Sequence, residues 1–217
     1  MRETDNQRFN TMTTLSRRSL LLATGASLLA AGTLAIGEER AAAPKGTIQQ
    51  AAPLPATSIY HLSVPLTDQS GKTFQLAERR GAPMIVSMFY TSCQYVCPML
   101  MESIQATEQK LSATERARLK VTLVSFDPEH DTVQVLRKTA EAHSFDGARW
   151  ALARTDASSV RKLAAMLGIQ YRAIGNGDFN HTTALILLDA DGQVVGKTSE
   201  LGTADAEFVR ALKRLLS

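Results

Sequence analysis

The chain has 217 residues, of which 44% are hydrophobic, enough to bury one good core, and one domain is expected once the N-terminus is discounted. Its formal charge of +3 comes from 24 basic and 21 acidic residues scattered without long runs. That pattern lacks the basic stripe of a nucleic-acid binder, and no nucleic acid is expected as a partner.

The first element is a targeting segment. Ser16-Arg17-Arg18-Ser19-Leu20-Leu21 sets a twin-arginine pair directly before an apolar run from Leu20 to Ile36 that contains Gly25 and Gly32. This is the layout of a bacterial twin-arginine export signal, so the protein is expected in the periplasm. The run is marginal for a bilayer with ~30 Å of hydrocarbon, which favours cleavage over an uncleaved membrane anchor. Ala41-Ala42-Ala43 offers a cleavage site, although Pro44 suits signal peptidase poorly. Residues 1–43 are read as the signal and residues 44–59, rich in Ala, Pro, Gln and Thr, as a flexible linker. The domain is expected over 60–217.

Ser63-Val64 and Thr73-Phe74-Gln75-Leu76 flank the turn-rich Asp68-Gln69-Ser70-Gly71-Lys72, which predicts an N-terminal hairpin. Pro83 to Tyr90 is a nearly continuous apolar run and fits a central strand buried on both faces. A helix is predicted from Pro98 to Leu111, with Pro98 at its first position and Cys97 as its N-cap. Val121 to Phe126 reads as the next buried strand, and Asp131-Thr132 as the cap of a helix running to about His143. A short strand near Trp150-Ala151-Leu152, a helix over Ser158 to Leu167 stopped by Gly168, a strand pair about Asp189-Ala190-Asp191-Gly192 and a final amphipathic helix from Asp205 to Leu216 follow. Alternating strand and helix predict a layered α/β domain, a mixed central sheet with helices on both faces. The order, strand then cysteine loop then helix, with a late hairpin and last helix, is the thioredoxin pattern.

Cys93 and Cys97, the only cysteines, are separated by three residues. A disulfide closing so short a loop removes little unfolded-state entropy, so a purely structural bridge is a poor reading. In an oxidising compartment the pair must instead be reduced or capped by a metal. A thiol at a helix N-terminus ionises more readily, which favours Cys97 as the thiolate. The C-x-x-x-C loop can close a disulfide, and it also lets both sulfurs turn toward a common third point, so both redox and metal roles stay open.

Four histidines could add a ligand. His61 and His143 read as structural or exposed, and His130 as a solvated loop residue. His181 precedes the late hairpin, where thioredoxin-like proteins usually carry a cis-proline against the disulfide; Asn180 to Leu188 contains no proline. Two thiolates and an imidazole there would suit copper(I), whereas zinc would want a fourth ligand. Met84, Met88, Met99 and Met101 are read as core filler.

These residues resemble the Sco/SenC family of thioredoxin-fold copper proteins that assemble cytochrome c oxidase. The likeness rests on Phe89 to Pro98, on Ser125-Phe126-Asp127-Pro128-Glu129-His130-Asp131-Thr132, on His181-Thr182-Thr183 and on Asp189-Ala190-Asp191-Gly192. It implies that Cys93, Cys97 and His181 are copper ligands, that Cys93 and Cys97 form a redox-active disulfide, and that Asp127 lies near the site. It also implies copper, as Cu(I) or Cu(II), and three kinds of partner: the copper-containing subunit of a respiratory oxidase, a periplasmic thiol reductase and a copper donor chaperone. One departure is Gln94, where the family commonly has proline. Peroxiredoxin chemistry is disfavoured because no proline stands in Met88 to Ser92. The expected function is that of a periplasmic copper chaperone; a thiol-disulfide reductase with no copper role is the alternative.

Overall fold

The structure is a computed structural model and describes residues 52–175 and 177–217. The signal segment expected over residues 1–43 lies outside the described residues. Among the described residues no helix is long and apolar enough to cross a membrane.

The first element among the described residues is a single 3-10 turn, Ile59–His61, capped by the Ser58 hydroxyl, which accepts from Tyr60 N–H at 3.1 Å. Strands β1 (Pro65–Asp68) and β2 (Thr73–Gln75) form the expected N-terminal hairpin, starting slightly later than the pattern suggested because Val64 packs in the core ahead of it. After a second 3-10 turn come β3 (Met84–Phe89), α1 (Val96–Gln109), α2 (Ala113–Arg118) and β4 (Lys120–Ser125). Then follow α3 (Val133–Ala142), β5 (Trp150–Arg154) and α4 (Ala157–Leu167). The hairpin β6 (Tyr171–Gly175) and β7 (Asp178–His181) precedes β8 (Leu185–Leu188), β9 (Val194–Thr198) and α5 (Ala206–Leu216).

The main sheet has seven strands in the order β2-β1-β5-β4-β3-β8-β9. Strands β3, β4 and β5 run parallel, and β8 runs antiparallel to β3, so the sheet is mixed as expected. All six residues of β3 are buried, as a strand covered on both faces requires. Each such Ile, Val or Met contributes about 1.5–3 kcal/mol through burial.

Local chemistry explains most boundaries. Thr132 and Asp156 cap α3 and α4 through side-chain oxygens that accept from backbone N–H groups, and Gly168 ends α4 with φ +63°. Helix α2 is an addition to the expected elements. Its signal is the capping box Ser112-x-x-Glu115, whose two side chains each accept the other's backbone N–H. A second addition is the pairing of Asp178–His181 with Tyr171–Gly175 as a separate two-stranded sheet.

The described end of the segment read as a linker, residues 52–59, lies against the domain. Ile59 is buried and Leu54 packs against the core, while Ser58 Oγ donates to the Asp191 carbonyl at 2.5 Å. Arg80 clasps the same corner, bonding the Asp191 carboxylate at 2.8 Å and the Ala52 carbonyl at 2.6 Å. Gly192, at φ +79°, has Tyr60 seated against it so closely that a Cβ would fall 2.6 Å from the ring. Only glycine fits both the turn and that contact.

The topology places the site. Phe89 pairs with Ser125 at the last residues of parallel β3 and β4, so the loops after both strands emerge at one sheet edge. Val86 pairs with Ile186 across antiparallel strands, which sends the segment before β8 to the same edge. Ser87 Oγ fixes that segment by donating to the Ala184 carbonyl at 2.6 Å. The carboxyl ends of parallel strands are where α/β folds collect functional groups.

Candidate metal centre

At that edge Cys93, Cys97 and His181 come together. Each offers a ligand atom, and the three atoms lie within 4.8 Å of one another. The two cysteines are free thiols in this structure.

The thiols are not equivalent, and the difference reverses the expectation for Cys97. Helix α1 begins at Val96 with Tyr95 as its N-cap, so Cys97 lies inside the first turn and Pro98 after it. Cys97 is 2% exposed, whereas Cys93 is half-buried. Burial pushes the Cys97 thiol far up, and neighbouring Cys93 and Asp131 add to this against a backbone bond at Tyr90. Burial also disfavours ionised Cys93, but the N–H groups of Cys97, Tyr95 and Val96 outweigh it and leave the Cys93 thiol lowered. Cys97 N–H lies 3.4 Å from Cys93 Sγ. The helix N-terminus therefore serves the sulfur that stands in front of it.

His181 closes β7. Its Nδ1 lies 3.4 Å from the Thr182 carbonyl and 3.3 Å from Thr183 Oγ1. A proton on Nδ1 satisfies the carbonyl and makes Nε2 the free lone pair. Burial pushes the imidazole pKa down, against the Thr182 contact, which keeps the ring neutral near pH 7. Rings surround it: Tyr90 edge-on at 5.9 Å and Phe126 tilted at 4.9 Å. Phe126 in turn stacks on Tyr171 at 5.4 Å and meets Phe179 at 5.3 Å.

Asp127 is buried, and both its carboxylate oxygens lie 2.9 Å from Nδ1 of the exposed His130. The carboxylate that reaches the cysteine loop is Asp131, which accepts from Thr91 and Ser125. Burial pushes its carboxyl up, against those donors. Asp131 therefore does not share the capping role expected for Asp131-Thr132; Thr132 alone caps α3. The sequence offered a signal for this in three acidic residues on one short loop, Asp127, Glu129 and Asp131, but not which of them reaches the cysteine loop. Of the methionines, Met84, Met88 and Met101 are core residues as expected, while Met99 is 41% exposed on α1, beside Gly202. His61 is exposed, and His143 forms the C-cap of α3.

A mixed sheet with a Cys-x-x-x-Cys pair where a buried strand passes into its helix defines a thioredoxin-like protein. The protein-family model described as SCO1/SenC matches residues 57–217. The chain belongs to the SCO1/SenC family. It is 24% identical to a SCO1 protein homolog of Bacillus subtilis over 59% of this chain and 67% of that relative, about two thirds of its length. A SCO1/SenC family lipoprotein from Bacillus anthracis has the same fold, with a TM-score of 0.65, 24% identity and coverage of 72% of this chain and 94% of that one. ScoI of Bradyrhizobium japonicum, solved with copper bound, aligns with a TM-score of 0.56 and 24% identity over 70% of this chain and 96% of its own.

Proposed function

We propose that this protein is a copper chaperone, carrying copper on Cys93, Cys97 and His181 to the binuclear copper centre of a respiratory oxidase. The observation that carries the reading is the convergence of two thiols and one imidazole within 4.8 Å. Soft sulfur with a neutral imidazole suits copper, and a three-donor set suits copper(I) in particular. Family membership and the copper-bound relative support the same conclusion.

Delivery proceeds by ligand exchange. An incoming thiolate or imidazole of the oxidase subunit displaces His181 first, since the hairpin that bears it can yield. Cys93, half-buried, is displaced next, and Cys97, the most enclosed, last. Loading takes the Cys97 proton with it, because that thiol is protonated at neutral pH. Reloading needs both sulfurs reduced, so a thiol reductase and a copper donor complete the cycle. Export by the twin-arginine route, supported by Arg17-Arg18 ahead of the apolar run, puts the work in the periplasm. Changing both arginines to Lys should hold the precursor in the cytoplasm.

The asymmetry of the thiols favours one second reading, a thiol-disulfide reductase. The accessible Cys93 thiolate would attack a partner disulfide and release one partner thiolate. Cys97 would then attack the Cys93 sulfur of the mixed disulfide, releasing the second thiolate and leaving the Cys93–Cys97 disulfide; two electrons pass to the partner. That chemistry does not use His181. Metal analysis of the reduced protein and its His181→Ala variant separates the two: one tightly held copper per chain in the parent and weaker retention in the variant support the chaperone. Equal retention removes His181 from the site.

A further inference from the structure

Thr91 lies two residues before Cys93, directly after β3 and Tyr90. Its backbone N–H faces both oxygens of Asp131 at 3.3 and 3.2 Å, and its hydroxyl donates to one of them. Ser125, the last residue of β4, donates its hydroxyl to the other oxygen. Asp131 is 1% exposed, and its own N–H is tied to the Asp127 carbonyl at 2.9 Å. The ends of two strands and the start of α3 thus meet on one carboxylate, while Thr132 does the capping.

An apolar side chain would seal this junction at less desolvation cost. What a carboxylate adds is direction, two acceptor oxygens at a fixed angle, each matched here to a named donor. We propose that Asp131 is a positioning residue for the thiol pair: by fixing Thr91 it sets the direction in which Cys93 leaves β3 and so holds its sulfur in register with Cys97. The inference rests on Cys93 and Cys97 being the working pair proposed above, but not on copper.

The test is metal-free equilibration with glutathione. The dithiol and one glutathione disulfide give the Cys93–Cys97 disulfide and two glutathione thiols, so two electrons and two protons pass to glutathione. The ratio is read by trapping free thiols with an alkylating mass tag. Loss of register lowers the effective concentration of one thiol at the other, and Asp131→Ala should shift the equilibrium about tenfold toward the dithiol, or about 30 mV. Asp131→Asn keeps one acceptor for the Thr91 N–H, and Thr91→Val removes only the hydroxyl bond; both should shift it in the same direction by less. These two variants carry the test should Asp131→Ala not fold. Folded variants with a lower melting temperature but the parent's equilibrium constant would show that Asp131 is structural only and overturn the proposal. A shifted constant in a protein that takes no copper would sink the chaperone reading and leave this one standing.

Discussion

Cys93 sits in the loop after β3, whose residues are all buried, and Cys97 in the first turn of α1, whose Leu100, Met101 and Ile104 lie in the core. His181 ends a hairpin whose strand ladder lies wholly within its own two-stranded sheet and whose β6 is exposed at four of five residues; its hydrogen bonds to the end of β3 are two long ones at the Tyr90 hydroxyl, which accepts from Phe179 N–H and donates to Asp178, both at 3.5 Å. The hairpin meets the body through rings: Phe126 against Tyr171 and Phe179, and Tyr90 against Phe179 at 5.0 Å. Ladder bonds and close packing fix one geometry, whereas stacked rings tolerate sliding at a cost of about 0.5–1.5 kcal/mol per pair. The two halves of the centre thus differ in stiffness, which the proposed carrier role would use: the thiols would hold the copper while the imidazole is exchanged.

The largest effect expected from that contrast is in the thiol half. Cys97→Ser or Cys93→Ser should abolish tight copper binding, measured by competition with a copper(I) chelator, whereas His181→Ala should weaken it by on the order of tenfold and leave disulfide formation intact. A serine variant that competes like the parent would break the comparison. Next in size is the pH dependence. Cys97 holds its proton well above neutrality, so copper affinity should climb with pH through the ordinary thiol range rather than level off near pH 7, and calorimetry in buffers of different ionisation enthalpy should find at least about one proton released per copper. On the acid side the sign follows from the lowered His181 pKa. The neutral ring is favoured in the folded protein, so its contribution to stability is present above the unfolded value of about 6.5 and lost as pH falls through the lower folded value.

A smaller effect concerns the hairpin alone. Phe179→Ala should speed amide exchange across β6 and β7, lowering local protection by about 1–3 kcal/mol, while β3 and β4 exchange as before. Uniform acceleration over all four strands would mean that hairpin and sheet open as one unit. The smallest concerns Asp127. The paired carboxylate raises the His130 pKa, so their attraction is present below about pH 6.5 and fades as pH rises through the folded value. Asp127→Asn should return the His130 titration, followed by NMR, toward the ordinary value without altering copper binding. A change in copper binding would instead give Asp127 the place near the site that the family resemblance implies.

What could be read from the sequence follows the same division. The strand and helix of the thiol half were legible because a continuous apolar run, a cysteine pair and a proline after it are local signals, although the helix starts two residues before Pro98. His181 was reached by its place before the late strands, but the hairpin that carries it was not seen: Tyr171 to His181 mixes Arg, Asn, Asp and Gly with isolated rings and has no strict alternation. The choice of thiolate was also missed, since it depends on one turn of helix. With the N-cap at Tyr95 instead of Cys97, the positive helix end faces Cys93 and the more distant cysteine becomes buried. Asp131 looked like a cap because it precedes a helix, and only the paired strand ends, Phe89 beside Ser125, reveal that its carboxylate turns to meet Thr91.

The corner built from Ser58, Tyr60, Arg80 and Gly192 has a bearing on access. It sits past the last residue of β8 and ahead of the first of β3, whereas the thiols follow the last residue of β3. A six-residue strand, about 20 Å, separates the two ends. Ala52, the first described residue, therefore lies at the end of the sheet opposite the thiols, while the exposed ring of Tyr95 stands at the thiol end. A partner docking on the thiols would meet Tyr95 and not this corner.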